Sequence, residues 1–358
     1  MKKINILKYP TRRSFVSGLA LFIAGISVSP KKVFPQSQEA ADISLNLVRP
    51  KNYLPRNTIS KVSSALSIPI KDQVYEGEKN NIDEDFDIFI GRNDIIEAAI
   101  DTGKLSEIDN SLIPNRSFIN EQFLTSFYDP GRKYSIPLTW GGLGIIYRKD
   151  KFDEPPNTWR WLLDSDKYSG KIALIGEGRT LIQIALKYMG MSLNTNDPMW
   201  INQAEKLLKR QKEHIRDFGN NNGISLLTSG EVDLAISSND EAAKVISTNN
   251  DIGFVFPREG SLIWEDAICI AKSSNKKESA HYFINSLLDA KIGKNIAEEN
   301  SLATSNMMAL DISSDSYKND GLIFPNDQII ERYEDTSNIL DFDYEMMIDE
   351  MWKNIKDA

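Results

Sequence analysis

The chain has 358 residues, 41% hydrophobic and 26% charged, the balance of an ordinary soluble globular protein with room for about two domains of roughly 150 residues each. Its net charge is −9, and Lys2, Lys3, Lys8, Arg12, Arg13, Lys31 and Lys32 stand against Glu39 alone in residues 1–40, so the remainder is more acidic than the total suggests. That acidity argues against nucleic acid as a partner, because phosphate binding needs a basic face, and is compatible with a cationic ligand. Cys269 is the single cysteine, which rules out an intramolecular disulfide; its apolar surroundings mark it as a small core residue.

Residues 1–41 read as an export signal with its linker. Lysines precede Thr11-Arg12-Arg13-Ser14-Phe15, a pair of arginines of the twin-arginine type, and an apolar stretch runs to about Val28. That stretch is short for a membrane span, which needs about 20 residues, although a basic anchor helix stays open. Strand-like and helix-like patterns then alternate. Ile43–Val48 reads as a strand, Asn57–Leu66 as a helix, Phe86–Gly91 as a strand and Asp94–Gly103 as a helix. A βαβα order predicts an α/β fold with a mostly parallel sheet flanked by helices. Strand formers around Gly141, Gly142 and Gly144 suggest a bend where the chain crosses between lobes. Residues 170–175 read as a strand, 180–189 and 197–212 as helices, and 232–236 as a strand reached through 225–230. Residues 277–288 and 341–355 close the series as helices.

The run Leu262-Ile263-Trp264-Glu265-Asp266-Ala267-Ile268-Cys269-Ile270 carries the most chemistry. On a strand Trp264 and Asp266 share one face and Glu265 takes the other. An indole beside a carboxylate suits an organic ammonium, because the ring face attracts the cation and the acid neutralises it. The same residues also read as a core tryptophan and a strand end, and on their own they leave both readings open. His214 and His281 lack neighbours at metal-ligand spacing, so no metal site is expected. Asp83-Glu84-Asp85-x-Asp87 lacks the glycine and terminal glutamate of a calcium loop and reads as a solvated turn. Residues 141–144 do not form a dinucleotide or phosphate loop, and no cofactor is implied.

Landmarks along the chain resemble the periplasmic spermidine/putrescine-binding proteins of ABC importers, a branch of the bilobal solute receptors. They are Phe86-Asp87-Ile88, Tyr134-Ser135-Ile136-Pro137 with Trp140-Gly141, Gln183 to Gly190, Asn194 to Pro198, Gly230-Glu231-Val232, Gly260 to Asp266, and Thr304 with Asn306. The resemblance implies a two-lobed periplasmic-binding-protein fold, with lobe 1 over 43–143 plus 267–312 and lobe 2 over 144–266 plus 313–358. It implies a periplasmic monomer that binds a polyamine-like cation in the cleft between lobes and hands it to an inner-membrane ABC permease, without catalysis. Trp264 and Asp266 match the family's Trp-x-Asp, and Glu177 stands where that family places an acid; these three are the expected ligand-binding residues. Other positions depart from the pattern: Thr180 replaces an acid, while Val48-Arg49, Ser238 and Leu302 stand at aromatic positions. Asp94, Asp240 and Glu241 are carboxylates that could compensate, or equally helix caps and solvated acids. Arg49 in the cleft would instead favour a zwitterion or a carboxylate-bearing solute. An exported hydrolase using Glu177 and Asp266 is the remaining alternative.

Overall fold

The computed structural model describes residues 44–51, 53–55, 57–75, 82, 85–218, 222–335 and 342–357. Residues 1–41, read above as an export signal, the Ile43 start of the first strand, and Asp83 and Glu84 of the acidic run lie outside the described residues. The described strands are β1 (Leu45–Pro50), β2 (Ile70–Tyr75), β3 (Ile88–Arg92), β4 (Ser135–Arg148), β5 (Ile172–Leu174), β6 (Ile215–Phe218), β7 (Leu234–Ser238), β8 (Ile252–Val255), β9 (Leu262–Ile270), β10 (Ala303–Thr304) and β11 (Glu334–Asp335).

The chain divides into two compact units, Met1–Trp140 with Glu265–Asn319, and Gly141–Trp264 with Asp320–Ala358. The first crossing falls inside β4 and the second inside β9, between Trp264 and Glu265.

In the first unit β1 runs parallel to both β2 and β3, and β3 pairs antiparallel with β9 so that Arg92 lies opposite Asp266. Ile88, Phe89 and Ile90 are all buried, as expected for a strand covered on both faces. Helices Thr58–Leu66, Asn93–Asp101, Lys277–Leu287 and Ala290–Glu299 belong to this unit. The last is capped by Asp289, whose carboxylate accepts from the Lys291 and Ile292 amides. Val48, Phe86, Phe89, Ile96, Ala267 and Cys269 pack together as a core. Strand β2, IKDQVY, carries no apolar alternation and stands largely exposed as an edge, which is why its sequence gives no strand signal.

In the second unit β5 runs parallel to β6 and β7, while β4 pairs antiparallel with β7 and β8. The core gathers Trp159, Leu162, Ile182, Ala185, Leu208 and Ile348. Helix Pro198–Gln211 starts as its sequence directs, with the Asp197 carboxylate accepting from the Met199 amide and proline in the first turn. Residues 225–230 are not a simple lead-in to the next strand. They lie in a helix, Gly223–Ser229, stopped by Gly230 at φ 82°.

Residues 141–144, expected as a bend at a crossing between lobes, lie within strand β4, which runs unbroken from Ser135 to Arg148, and the division between the two units falls at Trp140 and Gly141. The glycines serve close approach instead. The side chains of Trp264, Tyr333 and Phe254 lie against Gly141, Gly142 and Gly144 respectively, where a Cβ would collide with each. No helix among the described residues is long and apolar enough to cross a membrane.

Candidate functional site

Strand β9 carries the candidate site. Its alternation sets Trp264 and Asp266 on one face and Glu265 on the other, and all three are buried. The two faces do different work.

Asp266 has its side chain only 7% exposed, and its Oδ1 lies 3.6 Å from Arg92 Nε. Its Oδ2 accepts a long hydrogen bond, 3.5 Å, from the Thr139 hydroxyl, which shares a 2.7 Å bond with the hydroxyl of Tyr53. Tyr75 completes the group, its hydroxyl donating to the Ile90 carbonyl at 3.2 Å. Burial first, then the Asp266 charge, pushes the Tyr53 phenol well above its ordinary pKa, while the Thr139 bond and the Arg92 charge pull it down. Tyr75 is raised by the same two causes in the same order, with Arg92 again opposing and Asp94 adding to the rise. Among the described residues, a sunken carboxylate thus lies close to the Tyr53 and Tyr75 phenols and the Arg92 guanidinium.

Trp264 belongs to the second unit, where its indole lies against the Gly141 backbone. Asn239 braces the same place. Its Oδ1 accepts from the Gly142 amide at 3.0 Å, and its Nδ2 donates to the Leu322 carbonyl at 3.0 Å. Asn239 opens helix Asn239–Ile246 directly after β7, so strand and helix together fix the wall on which the indole rests.

Glu265 points into the first unit and is structural. Both its oxygens meet Arg132, Nη1 to Oε1 at 2.5 Å and Nη2 to Oε2 at 2.7 Å. The Tyr128 hydroxyl donates to Oε1 and itself accepts from Arg132 Nη1 at 2.6 Å. Arg132 Nε donates to the Phe123 carbonyl at 2.7 Å. Finally the Glu265 amide donates to Asn93 Oδ1 at 3.1 Å, which ties β9 to the residue after Arg92. Burial disfavours the guanidinium, but the charges of Glu265 and Tyr128 and the hydrogen bonds to both together outweigh it and raise the Arg132 pKa. An ion pair this complete satisfies itself and offers nothing to a ligand.

Glu177 stands exposed at the N-cap position of helix Gly178–Tyr188, and its carboxylate accepts from the Thr180 hydroxyl at 2.7 Å. Thr180, read from sequence as a lost acid, thus holds the acid that remains. Arg49 is gripped by Asp72 through Nε–Oδ1 at 2.8 Å and Nη2–Oδ2 at 2.6 Å. That fork neutralises its charge and removes the reason for expecting a carboxylate-bearing ligand. Asp240 is buried on the first turn of helix Asn239–Ile246, 3.4 Å from Lys244. Tyr53, Tyr75, Arg92, Thr139 and Asn239 were missed in the sequence. Arg92 lies just past the strand read over Phe86–Gly91, and its neighbour across the sheet is invisible without the fold. Among the described residues no three of His, Cys, Asp and Glu gather closely enough to hold a metal ion.

Known proteins share this framework. The chain is 28% identical over 290 residues to the spermidine/putrescine-binding periplasmic protein of Escherichia coli (strain K12), covering 79% of this chain and 83% of that one. It is 24% identical over 338 residues to the putrescine/cadaverine-binding protein of Pseudomonas aeruginosa, covering 89% and 95%. The crystal structure of a spermidine/putrescine ABC transporter substrate-binding protein from Streptococcus pneumoniae superposes with a TM-score of 0.79 at 23% identity, over 88% of this chain and 98% of that one, and shows the fold. The sequence profile of the bacterial extracellular solute-binding proteins matches residues 75–325, most of the chain, and the chain belongs to that family.

Proposed function

We propose that this protein is an exported receptor for a polyamine-like organic cation of the spermidine/putrescine class, which it delivers to an ABC permease. The observation that carries the reading is Asp266, a nearly buried carboxylate set among the phenols of Tyr53 and Tyr75, with Trp264 two residues away on the same strand face. Asp266 pairs with a ligand ammonium, Trp264 stacks on the ligand, and Glu177 supplies a further negative charge. Micromolar binding needs about 8 kcal/mol, and each cation–π contact contributes roughly 0.5–2 kcal/mol. The aromatic positions occupied by Val48, Ser238 and Leu302 therefore matter, and Tyr53 and Tyr75 supply rings where those are missing. The names of the relatives support the ligand class and a periplasmic location.

The activity is binding without turnover, and the receptor works as a monomer. Isothermal titration with spermidine and putrescine at neutral pH is the test. One of them binds with one-to-one stoichiometry, and Asp266→Asn weakens that binding at least about 30-fold, as expected when one side of a buried charge pair is removed. A folded preparation silent to both amines overturns the ligand class. Export rests on Arg12 and Arg13; if the variant with both changed to Lys still reached the periplasm unhindered, the twin-arginine assignment would fail.

A further inference from the structure

Asp266 already has a cation beside it. Arg92 ends β3 directly opposite Asp266, and its Nε lies 3.6 Å from the carboxylate, with the guanidinium side chain 37% exposed where that of Asp266 is 7% exposed. The placement is fixed from both sides. Arg92 immediately precedes helix Asn93–Asp101, and Asn93 accepts the Glu265 amide, so neither partner shifts without disturbing the Glu265–Arg132 pair. Asp266 and Arg92 are both felt at Tyr53 and at Tyr75, and Asp94 is felt at Tyr75. The Asp266 carboxylate thus has a guanidinium close by before any ligand arrives.

We infer that Arg92 is a specificity-determining residue, a built-in cation that makes this receptor favour a diamine over a triamine. The inference rests on the proposed function, because it concerns which amine the same carboxylate selects. A ligand ammonium reaching Asp266 must share the carboxylate with Arg92. Every further ammonium on the ligand then feels the same fixed positive charge. Putrescine carries two ammonium groups and spermidine three, so the repulsion grows with ligand charge. Charge, and not shape, sets the preference.

The test is calorimetric titration of putrescine and spermidine into the wild type, Arg92→Gln and Arg92→Lys, with circular dichroism confirming the fold of each. Wild type binds putrescine more tightly. Arg92→Gln strengthens spermidine binding more than putrescine binding and moves their affinity ratio by about tenfold toward the triamine, the size expected for removing one charge near a partly buried site. Arg92→Lys keeps the charge and holds the ratio within about threefold of wild type, which a purely structural role for the residue would not produce. An Arg92→Gln ratio equal to wild type overturns the assignment while leaving the receptor reading intact. Absence of amine binding by every folded form overturns both.

Discussion

Arg132 is the side chain whose loss the structure judges most severely. It is 1% exposed, forked onto both oxygens of Glu265, and bonded to Tyr128 and to the Phe123 carbonyl. In Arg132→Met the stem volume is kept but the charge goes, leaving Glu265 buried with only the Tyr128 hydroxyl and no counter-ion. Stranding one member of a buried ion pair costs about 3–5 kcal/mol. For a unit of this size each kcal/mol shifts the melting temperature by about 2–4 °C, so a fall of about 10 °C follows. Equilibrium urea unfolding, followed by both tryptophan fluorescence and far-UV circular dichroism, gives the free-energy difference. The second half of the cycle adds Glu265→Gln. The double variant recovers at least about 1 kcal/mol relative to Arg132→Met, because the stranded charge is gone while the Tyr128 bond survives. A loss under about 1 kcal/mol for Arg132→Met, or purely additive effects in the cycle, would refute the claim that the pair is coupled and enclosed.

Three further outcomes follow from other sites. Gly141→Ala sets a methyl into the indole of Trp264 and against Asn239, so the melting temperature drops and the amine affinity of the folded variant falls at least about tenfold; unchanged titration curves would show that Trp264 does not contact ligand. Burial pushes the Asp87 carboxyl up, but bonds from Ser274, the Asn46 amide and Lys276, with the Lys276 charge, outweigh it and hold its pKa below the ordinary value. A depressed folded-state pKa contributes stability above the unfolded-state pKa and loses it as pH falls through the folded-state value. The wild type is therefore more stable than Asp87→Asn at pH 7, and that margin closes below about pH 4; a margin independent of pH in thermal melts would contradict it. Burial pushes the Cys269 thiol far up, so native protein stays inert to a thiol reagent at pH 8 and reacts once unfolded in urea, whereas fast native labelling would place the thiol at the surface.

Much of the scaffold was legible from local chemistry. Asp197-Pro198 announced its helix through a cap and a first-turn proline, and the apolar run around Ile88 announced its strand by burial on both faces. The alternation of Trp264, Glu265 and Asp266 separated the acid that pairs with Arg132 from the one that lies beside Arg92 and Thr139, because side-chain direction on a strand needs only a period of two. What stayed hidden depends on partners distant in sequence. Gly141, Gly142 and Gly144 looked like a bend, since nothing local shows that Trp264, Tyr333 and Phe254 press on them. Arg49 looked like a threat to a cationic ligand until Asp72, 23 residues on, was seen to hold it. Arg92 drew no notice for the converse reason: its counter-ion lies 174 positions away and meets it only once β3 and β9 pair.

Strand β9 is buried at all nine positions, LIWEDAICI, so hydrophobicity cannot tell its two faces apart. In most strands a slip of one residue turns the greasy face to water and is rejected at once; here that safeguard is missing. The adjacent acids supply it. A one-residue shift that offers Asp266 to Arg132 would set Ala267 opposite Arg92, and a side chain shorter by one methylene cannot span the fork and meet Tyr128 as well. The difference in length between glutamate and aspartate thereby acts as a register key for the strand. The pairing error that would scramble the candidate site is the same one that would leave Arg132 buried without its full complement of bonds.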